Sequence, residues 1–185
     1  KTKTRLAELA GNQKHVADCP VFIAICADIN RLEHAIASGG GKLAKGHMEM
    51  SLVATIDAAL VGMAASLVAE SLNLGGCMIG GMRNHPEDVA KTLGLPDGVF
   101  VAFGMTLGYP ATRPPSKPRY PETGVIHLER YEDKPLDLLN ETYDADLEAQ
   151  KQETGRTDGI PWTVRLANGF SDAKRLNLKS ELQSR

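Results

Sequence analysis

The chain has 185 residues, of which 42% are apolar and 24% charged, and its formal net charge at pH 7 is −2. These values are ordinary for a folded globular protein and argue against global disorder. The small net charge and the low aromatic content of 5% favour neither a nucleic-acid partner nor recruitment to an anionic membrane. The three cysteines, Cys19, Cys26 and Cys77, form no CxxC pair, so neither a disulfide framework nor a zinc site is predicted, and a reducing cytoplasm fits best.

Three early segments have the pattern of regular secondary structure, separated by polar or glycine-rich connections. They are a helix at Thr4–Ala10, a fully buried strand at Val21–Ala27, and a short helix capped by Asn30 that runs through Ala37. The segment Gln13–Asp18 is polar and is predicted to be a connection without regular structure.

The longest helical pattern is Glu49–Asn73, and it carries two apolar stripes. Large side chains form one stripe, which consists of Leu52, Ile56, Leu60, Met63, Leu67 and Leu72. Small residues form the other, which consists of Ala54, Ala58, Gly62, Ala65 and Ala69. A membrane span is the less favoured interpretation, because Asp57 and the many alanines make insertion into a membrane less favourable. We expect a helix covered on both faces, in the centre of the fold or in a subunit interface.

The rest of the chain alternates between short strands, a proline-rich loop and polar helices. A short buried strand is predicted at Cys77–Ile79, a second strand at Val99–Leu107 and a short edge strand at Val125–Leu128. Helices are predicted from Asn84 to Leu93, with Asn84 and Glu87 as an N-cap pair, and at Leu136–Gln152, Trp162–Gly169 and Asp172–Leu182. Five prolines make Tyr109–Pro121 an extended loop. This order predicts a single α+β domain over residues 1–185.

The usual motifs of side-chain catalysis do not occur in the sequence. There is no GxSxG, Walker loop, HExxH or Rossmann GxGxxG, and the five histidines are scattered along the chain. No catalytic side chain and no metal ligand is therefore predicted. An enzyme of this sequence would need a cofactor to carry the reaction.

One segment that could hold a cofactor is Leu74–Gly81, in which four glycines flank the short strand at 77–79. Glycine lets a flat ring approach the main chain and leaves N–H groups free to point at it. The alternative is a helix end followed by a tight turn, which is the more common use of such glycines when they are taken alone.

The second candidate segment is Lys117-Pro118-Arg119. In an extended chain, residues i and i+2 point to the same side, and Pro118 stiffens the spacing. Two converging cations are suited to a phosphate group. The alternative, slightly favoured when this segment is taken alone, is a solvated basic loop.

Five segments in one order closely resemble the oxygen-insensitive, NADPH-preferring nitroreductases and flavin reductases of bacteria. The segments are Gly11–Ala17, Ala69–Gly81, Met82-Arg83-Asn84, Phe103–Pro110 and Lys117-Pro118-Arg119. The resemblance extends from the beginning of the chain to about Tyr131. It implies a layered α+β fold with a central, mostly antiparallel sheet flanked by helices, and a homodimer with FMN at the subunit interface.

The resemblance also implies which residues contact the cofactor. Gln13 would contact the flavin, as would the main chain of Met78, Ile79, Gly80 and Gly81. The residues that would hold the FMN phosphate are Lys117 and Arg119, spaced by Pro118. Family members often carry an aromatic residue where Met78 stands, so a stacking contribution is not expected here.

Further residues match the family by position. Glu49 and Arg83 match a charged pair near the mouth of the active site, although a helix-terminal Glu and a surface Arg are an equally good interpretation. Arg156 and Arg165 lie in the region that would help hold NADPH. The family pattern begins ahead of Lys1, so an N-terminal segment with further phosphate ligands is expected to be missing.

The activity that the resemblance implies is a ping-pong transfer of hydride from NADPH to FMN, and then of two electrons to a nitroaromatic, a quinone or free flavin. A non-enzymatic dimeric binding module remains an alternative, since the long two-faced helix alone would support it. A specialised reductase that supplies reduced flavin to a partner is another.

Overall fold

The computed structural model describes residues 1–113, 115–155 and 159–183. The strands are β1 (Val21–Asp28), β2 (Gly75–Ile79) and β3 (Val99–Gly108). The helices are α1 (Thr2–Leu9), α2 (Lys14–Asp18), α3 (Asn30–Ser38), α4 (Met48–Ser71), α5 (Pro86–Leu93), α6 (Leu136–Glu153), α7 (Trp162–Phe170) and α8 (Leu178–Gln183). These residues form two compact units, one comprising 1–111 with 175–185 and the other comprising 112–174.

The first unit is built on an antiparallel sheet in the order β1-β3-β2. Val21 of β1 pairs with Leu107, and Gly75 of β2 pairs with Gly108. The central strand β3 is the most deeply buried of the three, because it is paired on both edges. An irregularity between Ile25 and Cys26 shifts the register of β1 against β3.

Helices cover both faces of this sheet. On one face, Leu6 of α1 and Val89 of α5 pack with Ile79 and Met82 in the larger buried cluster. On the other face, Ala58 of α4 packs with sheet residues in a smaller cluster. The prediction of an α+β fold with a central antiparallel sheet flanked by helices is therefore confirmed.

Helix α4 uses its small residues for packing and leaves its large ones uncovered in the single chain. A Cβ on Gly62 would lie 2.4 Å from the ring of Phe103, so only glycine permits the close approach of helix and sheet. The large stripe is exposed, and Leu60, for example, is 64% exposed. By length and composition alone α4 could cross a membrane, since its most apolar window has a mean hydropathy of 2.0. Of the two faces that we expected to be covered, the small one packs against the sheet, whereas the large one is exposed in the part of the chain that the structure describes.

The second unit is held together by aromatic packing between α6, α7 and the loop that precedes α6. The rings of Tyr120, Tyr143 and Trp162 contact one another, with centroids 5.1 to 5.8 Å apart. Asp144 of α6 accepts hydrogen bonds from the main-chain N–H groups of Trp162 and Thr163, at 2.6 and 3.3 Å. This carboxylate therefore satisfies the first N–H groups of α7, which have no partner within the helix itself.

Most predicted elements are present with small changes of boundary, but three early predictions were wrong. Residues 14–18 are helix α2 and not an irregular connection, because the fully buried Val16 anchors a segment that is otherwise polar. Strand β1 is only partly buried. Asn30 does not cap α3 through its side chain, since the Arg31 N–H donates instead to Asp28 Oδ1 at 3.0 Å.

Three later predictions also needed correction. Residues 125–128 form no strand, because the N–H groups of Val125 and Ile126 both donate to the carbonyl of Glu122 in a tight turn. The predicted helix over 172–182 is limited to α8. The side chain of Asn84 does not cap helix α5, which begins at Pro86 with His85 as its N-cap residue.

Candidate functional site

The glycine-rich segment lies on β2 and on the 3₁₀ turn Gly80–Arg83 that follows it. Ile79 pairs with Gly104 and its side chain is 1% exposed, so it belongs to the core. Met78 is 44% exposed. The prediction of a wholly buried strand was wrong, since only Ile79 is buried in β2. Within the described sheet, β2 is an edge strand, and an edge strand presents main-chain groups for a ligand to bind.

Gln13 and Gly81 meet at the end of this strand. The Nε2 atom of Gln13 donates a hydrogen bond to the Ala10 carbonyl at 2.8 Å. A Cβ on Gly81 would lie 2.4 Å from that carbonyl oxygen and 2.8 Å from Gln13 Nε2. Glycine at 81 is thus required for the turn to pack against the end of α1, and that packing places the Gln13 amide beside the turn.

Gly80 has a different environment from Gly81. A Cβ there would meet nothing closer than the guanidinium of Arg83 at 3.5 Å, which is ordinary contact. Packing within the chain therefore does not require glycine at this position. Its missing side chain leaves the main chain open, which is the property needed where a planar ligand approaches the backbone.

Two arginines flank this turn. Arg83 donates from Nη1 to the carbonyl of Ala102. Arg175, which precedes α8 in the chain, donates from Nε to Asn84 Oδ1 at 2.9 Å and from Nη2 to the Gly80 carbonyl at 3.4 Å. Partial burial and the nearby positive charge of Arg175 both lower the pKa of Arg83 from its ordinary value.

Arg175 is a candidate that sequence reasoning missed. Arg175 is far from Asn84 in the sequence. The two residues meet only because the segment before α8 folds back against the turn. Glu49, the proposed partner of Arg83, is exposed in the first turn of α4. No ion pair joins these two residues, both of which the structure describes.

Lys117, Pro118 and Arg119 lie in the second unit, in extended chain. The backbone on this segment is held by α6, since Gln150 Nε2 donates to the Ser116 carbonyl at 2.7 Å and the Tyr143 hydroxyl donates to the Pro118 carbonyl at 3.4 Å. Both cationic side chains are exposed. The segment is therefore a backbone fixed at two carbonyls that presents two cations to solvent.

A wide cleft of about 820 Å³ lies within the second unit. Its cationic lining residues are Lys117, Lys151 and Arg165, and its aromatic ones are Tyr143, Trp162 and Phe170. Arg156, the other arginine that the sequence resemblance suggests, lies outside the described residues.

Comparison with known proteins identifies the family. Residues 1–109 match the family model described as Nitroreductase family, and residues 117–185 match the model of that family's C-terminal domain. The chain belongs to the nitroreductase family. The B. megaterium protein NfrA2, a solved structure, superposes with a TM-score of 0.93 at 34% identity, over 99% of this chain and 75% of that one. The nitroreductase-like fold predicted for this member is thus confirmed.

Curated relatives of this nitroreductase-family chain include two enzymes. The oxygen-insensitive NADPH nitroreductase of Salmonella typhimurium is 44% identical over 71% of this chain and 52% of that protein. The NADPH-flavin oxidoreductase of Vibrio harveyi is 36% identical over 99% of this chain and 75% of that protein. The chain therefore spans about half the length of the first relative and three quarters of the second.

Proposed function

We propose that this protein is an FMN-dependent oxidoreductase that uses NAD(P)H, with NADPH preferred, to reduce nitroaromatics, quinones or free flavin by two electrons. The observation that carries the proposal is the open main chain at Gly80, next to a Gln13 amide that packing against Gly81 holds in place. The names of the relatives, an NADPH nitroreductase and an NADPH-flavin oxidoreductase, support the same activity.

The residues present suit FMN in both of its parts. The main chain of Met78, Ile79, Gly80 and Gly81 and the amide of Gln13 would contact the ring, since an edge strand and an open glycine admit a planar group. The phosphate would be held by Lys117 and Arg119, with Pro118 keeping their spacing. Charge-assisted hydrogen bonds to phosphate are the strong class of hydrogen bond in proteins, and both cations are exposed to receive one.

Bound FMN would supply the redox chemistry, accepting a hydride from NADPH and passing two electrons to the acceptor. The chain's own contribution is binding and electrostatics. The Gln13 amide and main-chain N–H groups around Gly80 would stabilise negative charge that develops on the ring. No side-chain nucleophile is needed, which agrees with a sequence that has no catalytic triad motif. Glu49 and Arg83 remain proposed pocket residues for the acceptor.

The large stripe of α4 supports a homodimer. Leu52, Ile56, Leu60, Met63 and Leu67 are 49 to 64% exposed in the single chain, and exposing so many large apolar side chains on one helix is costly in water. A second copy of the chain is the occupant we propose, because a two-fold axis pairs a stripe with itself. This arrangement accounts for the apolar helix without a membrane.

The proposed setting is the cytoplasm, with a small-molecule acceptor and neither nucleic acid nor membrane as a partner. The thiols of Cys19, Cys26 and Cys77 are all free, which suits a reducing compartment.

We retain the single nitroreductase-like domain over residues 1–185 as a proposal. A non-enzymatic dimeric module and a dedicated supplier of reduced flavin are the competing functions.

Steady-state oxidation of NADPH separates these possibilities. The assay is run in parallel with nitrofurazone, a quinone and free FMN as acceptors, each with NADPH and with NADH. We expect turnover with all three acceptors and a higher kcat/KM for NADPH. Turnover with free flavin alone would indicate a flavin-supplying reductase, and no oxidation of either nucleotide would indicate a binding module.

A further inference from the structure

Three hydrogen-bonding residues of α6 lie on one face of the helix and contact the segment that carries Lys117 and Arg119. These residues, which we call the α6 row, are Asn140, Tyr143 and Gln150. With about 100° of rotation per residue, their directions around the helix axis fall within an arc of about 80°. The helix therefore presents one continuous row of side chains to this segment.

Two members of the α6 row bind carbonyl groups of the segment. Gln150 Nε2 donates to the Ser116 carbonyl at 2.7 Å, and the Tyr143 hydroxyl donates to the Pro118 carbonyl at 3.4 Å. Each of these carbonyls belongs to the peptide group that immediately precedes one of the two cationic residues. Because a peptide group is planar, a carbonyl that is held in place also holds the Cα atom of the residue that follows it. The two hydrogen bonds therefore fix the Cα positions of both cations.

The third contact anchors the end of the segment. The Tyr120 hydroxyl donates to Asn140 Oδ1 at 2.8 Å, and the Tyr120 ring contacts the rings of Tyr143 and Trp162 with centroids 5.5 and 5.8 Å apart. The segment runs antiparallel to the helix, since residue 120 meets residue 140 and residue 116 meets residue 150. The helix rises about 15 Å between residues 140 and 150, and extended chain rises about 13 Å between residues 116 and 120. The two spacings match, so all three contacts keep the segment extended.

We propose that Gln150 and Tyr143 are positioning residues for the FMN phosphate, and that they determine the preference of the protein for FMN over riboflavin. This inference rests on the proposed function, which assigns the phosphate to Lys117 and Arg119. A phosphate that binds both cations at once needs them at a fixed separation. The α6 row sets that separation before the cofactor arrives, so less conformational entropy is lost on binding.

The first test compares two flavins by quenching of their fluorescence on titration. Riboflavin has the ring of FMN and lacks the phosphate, so it reports the ring site alone. We expect Gln150→Leu, which removes the donor to the Ser116 carbonyl, to weaken FMN binding about fivefold and to leave riboflavin binding within about twofold of wild type. Adding Tyr143→Phe, which keeps the packed ring and removes only the hydroxyl, should bring the loss of FMN affinity to about tenfold or more.

The matched control for Gln150→Leu is Gln152→Leu. Gln152 is exposed on the same helix, and its Nε2 donates within the helix to Glu148 Oε1 at 3.5 Å. This variant should bind both flavins as the wild type does. An equal loss of FMN and riboflavin affinity in Gln150→Leu would show a general structural role in place of a phosphate-specific one. Unchanged FMN affinity in the double variant would also overturn the proposal.

The second test needs no flavin, because it measures how firmly the segment is held. Trypsin cleaves after Arg119, and cleavage of a folded chain requires local release of the segment. In the flavin-free protein, the cleavage rate at this bond, followed by mass spectrometry, should rise about fivefold in Gln150→Leu and stay at the wild-type rate in Gln152→Leu. Equal rates in the two variants would show that Gln150 does not position the segment.

The flavin titrations also separate failure of this inference from failure of the proposed function. A wild-type protein that binds neither flavin would refute the proposed function, and the positioning role with it. A wild-type protein that prefers FMN to riboflavin, with the same preference in the double variant, would refute the positioning role alone. Equal affinity of the wild-type protein for the two flavins would remove the phosphate from the segment and refute the inference while leaving a ring site.

Discussion

The Gln13 amide nitrogen lies 2.8 Å from the position that a Cβ on Gly81 would occupy, and the Ala10 carbonyl oxygen lies 2.4 Å from it. Gly81→Ala therefore forces a methyl group against main-chain atoms that cannot move independently. We expect a loss of about 1–3 kcal/mol in the free energy of unfolding, as is usual for overpacking. Urea denaturation followed by circular dichroism measures this loss.

Gly80→Ala is the matched control for that variant. A Cβ at Gly80 meets only the Arg83 guanidinium at 3.5 Å, so the stability should change by less than about 0.5 kcal/mol. The same methyl group would stand between the main chain and an approaching ring, so FMN affinity should fall. Equal losses of stability in the two alanine variants would contradict the distinction drawn between these glycines.

Arg119→Ala tests the phosphate site. The substitution removes one charge-assisted hydrogen bond to the FMN phosphate and should weaken FMN binding by about 1.5–3 kcal/mol. Quenching of flavin fluorescence on titration gives the dissociation constant. Arg130→Ala, which removes another exposed cation of the second unit, is the control and should bind FMN as the wild type does. Unchanged affinity in Arg119→Ala would remove Arg119 from the site.

Leu60→Glu tests the proposed dimer. Leu60 is 64% exposed in the middle of the α4 stripe, and a two-fold interface would bring its charged replacement into an apolar contact with the second copy. Burying an unpaired carboxylate is costly, so sedimentation equilibrium should show a dimer for the wild type and a monomer for the variant. The control is Leu32→Glu on α3, where the replaced leucine is also exposed at 42%. A dimer that persists in Leu60→Glu would place the interface elsewhere.

Asp144→Ala tests the packing of the second unit. The variant removes the acceptor for the N–H groups of Trp162 and Thr163 and for the Thr163 hydroxyl at 2.5 Å. Loss of such a helix cap costs about 1–2 kcal/mol. The fluorescence of Trp162, the one tryptophan in the chain, follows the unfolding. Asp146→Ala on the exposed surface of the same helix is the control and should change stability little.

The lowered pKa of Asp144 leads to a prediction of how the stability of the protein depends on pH under acidic conditions. Desolvation raises the pKa of Asp144, but the hydrogen bonds from Thr163 and Trp162 and the nearby charge of Lys151 outweigh it and hold the pKa below its ordinary value. A carboxyl group with a lowered folded-state pKa stabilises the protein above the unfolded-state pKa, about 3.9 for Asp. The stability difference between wild type and Asp144→Ala should therefore shrink as the pH falls below about 4. A difference that stays constant down to pH 2 would contradict this account.

Local patterns in the sequence predicted much of the fold. The apolar run at 99–107 and the two stripes of 49–73 specify β3 and α4, because a continuous apolar run and helical periodicity are both local properties of the sequence. The segment that forms α2 was wrongly interpreted because its structure does not follow from a local pattern. A single anchor, Val16, decides that segment, and its complete burial comes from packing in the larger buried cluster, which also contains Leu6 of α1 and Val89 of α5.

Part of the candidate site could likewise be predicted from the sequence, and part of it could not. The order of Gln13, Gly80, Gly81 and the Lys117–Arg119 segment indicated a cofactor site through resemblance. The reason for glycine at 81 could not be obtained from the sequence, because it depends on the Ala10 carbonyl. Arg175 escaped prediction because its contact with Asn84 joins two positions 91 residues apart, and no periodic pattern encodes such a contact.

The most direct test of the central proposal is the flavin content of the protein. The protein is purified, its visible spectrum is recorded, and a sample is then reconstituted with excess FMN and passed through a desalting column. We predict the two-banded absorption of oxidised flavin at about one FMN per chain after reconstitution, as the single proposed ring and phosphate sites require. A protein that remains colourless after reconstitution would contradict the assignment of Gln13, Met78–Gly81 and Lys117–Arg119 to an FMN site.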